Sequence, residues 1–179
     1  MVDGSLSLMS FFYSLKEMGH WEDSRESNLL DGFAHFYDTY ECSDNKYIAV
    51  GSIEPQFYSE LLEKLEIDDK KFKDQHNKDL WPELKEKMAL QIKLKSRSEW
   101  VEIFSESDAC VSPVLSMEEA KKHPHNLARD AFTTIDGFNQ PNASPRYSKT
   151  QQKVKHNAKK VGTDLDDICN EFNLSKNVL

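Results

Sequence analysis

An α+β fold is predicted by three features of the sequence. Residues 36–41 and 47–50 are short runs rich in aromatic and β-branched side chains, and Ser43-Asp44-Asn45-Lys46 between them is turn-forming, so the pair reads as a hairpin. Apolar residues at helical spacing recur on both sides of that hairpin. Two capping-box patterns, Ser96 with Glu99 and Ser116 with Glu119, mark helix starts downstream.

The first element is a helix through Leu8, Phe11, Phe12, Leu15 and Met18, stopped by Gly19. Met9 and Tyr13 fill its other faces, so it is apolar nearly all round and needs cover on most sides. After the hairpin, Gly51 ends the second strand and Pro55 opens a helix whose apolar face is Phe57, Leu61, Leu62 and Leu65. Residues 68–79 form a polar surface loop with room for one helical turn. Asp79 is then placed to cap a helix carrying Pro82 early and Trp81, Leu84, Met88 and Ile92 as its stripe. The Ser96 box precedes a helix through Trp100, Ile103 and Phe104.

Residues 110–114 read as a short strand, and the Ser116 box opens a brief helix closed by Pro124. Phe132-Thr133-Thr134-Ile135 reads as a further strand turned by Asp136-Gly137. From residue 139 to 160 the composition shifts to Pro, Asn, Ser, Gln and Lys, which describes a linker or an arm lying on a surface. Thr163 and Asp166 start a last amphipathic helix through Leu165, Ile168 and Phe172.

Composition excludes several classes of function. The 179 residues suffice for one ordinary domain with a real core, and 38% are hydrophobic. A net charge of −8 with no long Lys/Arg run argues against nucleic acid as a partner. Cys42, Cys110 and Cys169 are too far apart for a zinc site or a disulfide framework, and their odd count fits buried thiols in a reducing compartment. Cytoplasm or an organelle matrix is the expected location. The apolar start is too short to span a bilayer and lacks the basic flank of a secretory signal, so no membrane partner is expected. Residues 175–179 do not end in the peroxisomal Ser-Lys-Leu.

The six glycines are scattered singly, so neither the dinucleotide fingerprint nor the P-loop spacing occurs. His123-Pro124-His125 is a poor metal-ligand pair because proline interrupts the helix and no further ligands converge in the pattern. Glu54 is the most informative carboxylate, fixed between a Gly-ended strand and a Pro-started helix. Two readings stay open for it: complementing the helix dipole, or serving as a rigidly held site carboxylate. Strand alternation sends Tyr37 and Thr39 to one face and Asp38 and Tyr40 to the other.

Several longer stretches carry a resemblance: residues 28–32 (Asn-Leu-Leu-Asp-Gly), 36–42 (Phe-Tyr-Asp-Thr-Tyr-Glu-Cys) and 48–58 (Ile-Ala-Val-Gly-Ser-Ile-Glu-Pro-Gln-Phe-Tyr), then Trp81-Pro82-Glu83-Leu84, residues 107–115 and residues 144–148. In unbroken order from Met1 to about Ser148, these resemble the α-methylacyl-CoA racemases of the family III CoA-transferase superfamily. The resemblance implies that residues 1–27 end a large domain, 28–138 form a small α+β domain, and 139–179 form a returning arm and terminal helix. It implies an acyl-CoA thioester as substrate, no further cofactor and no metal, and two chains interlocked as a homodimer. Residues 1–4 match an internal stretch of the family, so Met1 is expected to be an internal methionine.

The implied reaction inverts the α-carbon of a 2-methylacyl-CoA through an enolate. It needs two acid/base groups straddling one carbon, because thioester α-protons are barely acidic. The family's histidine and aspartate for this task match nothing here, so the chain alone is expected to be inactive. Glu54 matches the family glutamate that hydrogen-bonds the acid/base histidine from a neighbouring chain, a contact that sets imidazole orientation and basicity. Leu30, Tyr37 and Ile53 match positions near the substrate. Phe33 stands where the family has glycine and His35 where it has proline. His35 without a partner acid on the other face cannot invert a centre. The alternatives are a CoA-transferase of the same superfamily and a non-catalytic subunit docking through its apolar first helix.

Overall fold

The computed structural model describes residues 1–175, which form two compact units, Met1–Val114 and Leu115–Leu179. The expectations for the last four residues of the C-terminal segment lie outside the described residues. The fold is α+β, with eight α-helices and five strands in two small antiparallel sheets among the described residues.

The first unit opens with two short helices, α1 (Val2–Leu8) and α2 (Ser10–Glu17), which divide at Met9 what the spacing predicts as one helix. Gly19, at φ +75°, ends α2 as expected. Neither helix buries a residue; Leu8, Phe11, Tyr13 and Met18 are all exposed. Their only aromatic anchor is the edge contact of Phe12 with Trp21 at 4.9 Å.

The hairpin forms as predicted. Strand β1 (Tyr37–Glu41) pairs antiparallel with β2 (Tyr47–Gly51), and β3 (Val111–Pro113) adds to the other edge of β2. Asn45 takes the left-handed conformation that this turn requires. Gly51 does not break the strand; it pairs with Tyr37 and closes the ladder. Helices α3 (Pro55–Lys64), α4 (Trp81–Ile92) and α5 (Arg97–Ile103) supply the rest of the core. Tyr58, Leu61, Leu65, Leu84, Met88, Ile92, Trp81 and Trp100 are buried together with Phe36, Tyr40, Ile48 and Val50 from the hairpin region.

Residues 68–79 contain two 3-10 turns, Lys70–Lys73 and Lys78–Leu80, rather than one helical turn. Asp79 does not cap α4. Asn77 accepts from the Asp79 amide, Asp79 lies within the second 3-10 turn, and Leu80 occupies the N-cap position of α4. The reason is local: an asparagine two residues earlier offers a closer acceptor to the same backbone. The Ser96–Glu99 box forms in full.

In the second unit the Ser116–Glu119 box also forms and opens α6 (Met117–Lys122). Pro124 does more than close that helix: it is the first residue of α7 (Pro124–Ala128), where its missing N–H costs nothing. Strand β4 (Phe132–Ile135) turns at Asp136 and Gly137, both at positive φ, into β5 (Phe138–Pro141). Composition alone assigns most of β5 to the arm; its return strand is made of Phe138, Asn139, Gln140 and Pro141, which carry little β signal. Helix α8 (Leu165–Glu171) begins after Asp164, and Thr163 bonds back to the Lys160 carbonyl instead of capping it.

Candidate functional site

The register of the three-stranded sheet sorts its side chains onto two faces. Tyr40, Ile48 and Val50 enter the core. The opposite face presents Tyr37, Thr39, Ala49, Gly51 and Ser112, which pair across the strands as Tyr37 with Gly51, and Thr39 and Ser112 with Ala49. Four of those five residues are small, so this face is the floor of an open groove of about 470 Å³. Leu30, Asp31 and Gly32 line one side and Cys110 another. A Cβ at Gly51 would lie 3.8 Å from the Tyr37 ring, which shows how closely the ring lies over the glycine.

The loop carrying Leu30 is held by a compact polar network. Buried Asn28 accepts from the Glu22 amide at 2.7 Å and donates to the Asp31 carboxylate at 2.8 Å. Asp31 also accepts from the Asn28 and Ser27 amides at 2.9 and 3.1 Å. Burial pushes the Asp31 carboxyl up, and the hydrogen bonds from Asn28, Ser27 and Phe33 outweigh it, so the group stays below its usual range. Gly32 at φ +89° turns the chain against Asp38, and Lys85 from α4 pairs with that carboxylate.

Glu54 stands at the elbow between β2 and α3, in extended conformation at the N-cap position. Its carboxylate is exposed and makes no capping hydrogen bond. The backbone around it is tied from below. Ser52, fully buried, donates through Oγ to the Ala109 carbonyl at 2.5 Å, and its amide donates to the Phe36 carbonyl at 3.0 Å. Buried Gln75 donates from one Nε2 to both the Ser52 and Ile53 carbonyls, at 3.1 and 3.0 Å. Pro55 then fixes the next φ.

Of the four residues predicted for the site, Leu30 and Tyr37 line the same groove, whereas Ile53 and Glu54 lie on the elbow and are not among its lining residues. Cys110 belongs to both regions. It lines the groove, its carbonyl accepts from the Gly51 amide at 3.0 Å, and its thiol is pushed up by burial, then by Glu54, Asp108 and Glu60. It is an exposed thiol, unlike buried Cys42 and Cys169, so the expectation of three buried thiols fails at this position. Its positive φ of 54° explains the failure, since the tight entry into β3 turns the side chain outward. Sequence reasoning missed Gly51, Cys110 and Ser112 as groove residues; only the pairing of β3 with β2, a long-range contact, brings them there.

His35 and Phe33, the two departures from the family pattern, are packing residues. Phe33 lies edge-on to Trp81 at 5.3 Å. His35 is fully buried, with Nε2 2.7 Å from Tyr58 Oη. Tyr58 donates its own proton to the Phe72 carbonyl at 3.0 Å, so His35 Nε2–H is the donor and Nδ1 keeps a lone pair without a partner. Burial, and then the charge of nearby His76, lower the imidazole to about 4. Burial also pushes the Tyr58 and Tyr40 hydroxyls up.

Among the described residues no three His, Cys, Asp or Glu side chains converge on a metal position, and no helix is long and apolar enough to cross a membrane.

Known proteins agree with this architecture. The CoA-transferase family III profile matches residues 1–165, and the chain belongs to that family. It is 39% identical over 179 residues to the α-methylacyl-CoA racemase of Mus musculus and 37% identical over 178 residues to that of Homo sapiens. These matches cover 98% of this chain and 47% of each relative, so the chain spans about half the length of the curated relatives it matches. A CaiB/baiF CoA-transferase family protein of Caenorhabditis elegans is 31% identical over 121 residues, 66% of this chain and 33% of that protein. A crystal structure of Rv3272 from Mycobacterium tuberculosis superposes with a TM-score of 0.65 at 15% identity, covering 97% of this chain and 45% of that one, which shows a shared fold.

Proposed function

We propose that this chain is the C-terminal part of a 2-methylacyl-CoA racemase, an enzyme that epimerises the α-carbon of an acyl-CoA by moving a proton off one face and onto the other. The observation that carries the reading is the 39% identity to a racemase across 98% of the chain. Glu54 is the positioning carboxylate, presented by a rigid elbow so that it meets the acid/base histidine of the complete enzyme across an interlocked homodimer. Leu30, Tyr37 and Ile53 flank the acyl chain. Acyl-CoA is the substrate, no other cofactor or metal takes part, and the enzyme works in the cytoplasm or an organelle matrix.

The physical support is the disposition of Glu54. A helix-start carboxylate that merely stabilises its own helix makes capping contacts, and this one makes none. It is instead exposed on a backbone locked by Ser52, Gln75 and Pro55. A carboxylate held in this way is suited to orienting an imidazole on a facing surface.

Deuterium incorporation at C2 of a 2-methylacyl-CoA in D₂O tests the reading. The 179-residue chain alone is expected at background, because no second acid/base group accompanies Glu54. The longest product of its gene is expected to exchange C2–H. In that product Glu54→Gln should lower kcat by roughly tenfold to a hundredfold, at or below the 10²–10⁴ that a missing acid or base costs, and shift the basic limb of the pH profile. Exchange by the 179-residue chain that Glu54→Gln abolishes overturns the assignment. A gene product that moves CoA between acids without C2 exchange favours the transferase alternative, which the match to the C. elegans protein keeps in view.

A further inference from the structure

Residues 137–163 contain six cations, Arg146, Lys149, Lys153, Lys155, Lys159 and Lys160, and none of the chain's 31 acidic residues. In a protein of net charge −8 this is a local reversal of sign. Only Lys159 finds a carboxylate, Asp164 at 2.6 Å. Among the described residues Lys149, Lys153, Lys155 and Lys160 pair with none.

The arm is pinned to the β4–β5 hairpin at both ends. At the near end the Asn142 amide donates to the Ala131 carbonyl at 2.9 Å, and the Asn142 and Arg146 side chains donate to the Asp130 carbonyl at 3.1 and 2.9 Å. At the far end Asn157 donates to the Ile135 carbonyl at 2.6 Å. Between these pins the chain bows outward and encloses a groove of about 430 Å³ lined by Asp130, Arg146, Tyr147, Gln151, Gln152 and Lys153, among others.

We propose that this groove is an anion site for a small ligand carrying adjacent phosphates. The donors are of the matching kind. Arg146 has five N–H groups and spends one recorded bond on Asp130, Lys153 is uncommitted, and Gln151, Gln152 and Tyr147 add neutral donors that fix orientation. The Asp130 carboxylate at the rim opposes a single negative charge, so a ligand must bring several to gain from the two cations. The volume admits a nucleotide-sized group. The phosphate end of a CoA thioester and a free nucleoside diphosphate share this chemistry. The site is independent of the racemase reading, since it uses none of the residues assigned there.

Isothermal titration of the 179-residue chain with CoA, with ADP and with inorganic phosphate tests the proposal at two salt concentrations. Saturable binding of CoA or ADP is expected, weaker at higher salt and at least tenfold weaker in Lys153→Glu, a position with no internal contact to lose. Arg146→Ala should weaken it similarly. CoA at least tenfold tighter than ADP identifies the thioester as the source; comparable binding identifies a free nucleotide, and either result supports the site. No saturable binding, full affinity in Lys153→Glu, or inorganic phosphate binding as tightly as both larger ligands (an adventitious ion only) overturns it.

Discussion

Acid unfolding should be governed in part by one buried imidazole. His35 donates from Nε2 to Tyr58 and has no partner at Nδ1, with the edges of Phe36, Tyr58 and Phe72 around it at centroid distances of 5.0–5.6 Å. A second proton would sit on a buried nitrogen with no acceptor, so burial, and then His76, lower the group from 6.5 to about 4. Because the folded value lies below the unfolded one, the unfolded chain binds the extra proton between those limits. The stabilising effect is therefore complete above pH 6.5 and disappears as pH falls towards 4, at about 1.4 kcal/mol per pH unit and about 3 kcal/mol in all. Urea titrations at pH 7.5, 6.5, 5.5 and 4.5 measure it against His35→Phe, which keeps a ring in the pocket and leaves Tyr58 its bond to Phe72. Wild type should be the more stable at pH 7.5, and the gap should close and invert towards pH 4.5. Two curves that stay parallel across this range would refute the reasoning, since they would mean the ring is solvated or already charged in the folded state.

Three further outcomes follow from the same contacts. Gln75→Leu removes the shared donor of two carbonyls at the elbow and should cost roughly 2–4 kcal/mol in urea unfolding with an unchanged m-value; a loss under about 0.5 kcal/mol would show that other donors or water serve those carbonyls. Gly51→Ala places its Cβ at ordinary contact distance from Tyr37 and the Cys110 carbonyl, so stability should change by no more than about 1 kcal/mol, as for other glycine replacements that need no strained backbone. The uncovered apolar residues of α1 and α2 should make the 179-residue chain self-associate, and sedimentation showing a sharp monomer at all concentrations would count against that.

Much of the fold is legible because local rules and tertiary structure agree. The hairpin, both capping boxes, the Pro55 start and the stripe of α4 are each dictated within a few residues. Misreadings cluster where two local signals compete. Asp79 and Asn77 both suit a cap, and Asn77 wins because its side chain reaches the Asp79 amide. Pro124 suits both the end of one helix and the start of the next, and it does both. The site is legible only in pieces. Alternation places Tyr37 and Thr39 on one face, but which face is open depends on helices docking against Tyr40, Ile48 and Val50, which no window of the sequence reveals. Cys110 and Ser112 enter the groove through a strand pairing across some sixty residues, beyond the reach of periodicity.

Glu54 is where the two kinds of reasoning can be separated by measurement. As a dipole-complementing residue its carboxylate would stabilise α3, and Glu54→Gln would cost roughly 0.3–1 kcal/mol at low ionic strength, less as salt rises. As a residue held for a contact outside this chain it makes no stabilising contact within it, in keeping with its exposed side chain and absent capping bond. Its neighbours Cys110, Asp108 and Glu60 are neutral or acidic: with Glu54 the two carboxylates raise the Cys110 thiol, so the field around the elbow is negative and an added carboxylate there is mildly unfavourable. Glu54→Gln should therefore leave urea stability unchanged or slightly raised, with any gain shrinking as salt is added, and should lower the Cys110 thiol towards its ordinary value. The rate of iodoacetamide capture by Cys110 as a function of pH reads the second effect, and a destabilised variant with unaltered thiol reactivity would return Glu54 to the role of a helix-start charge.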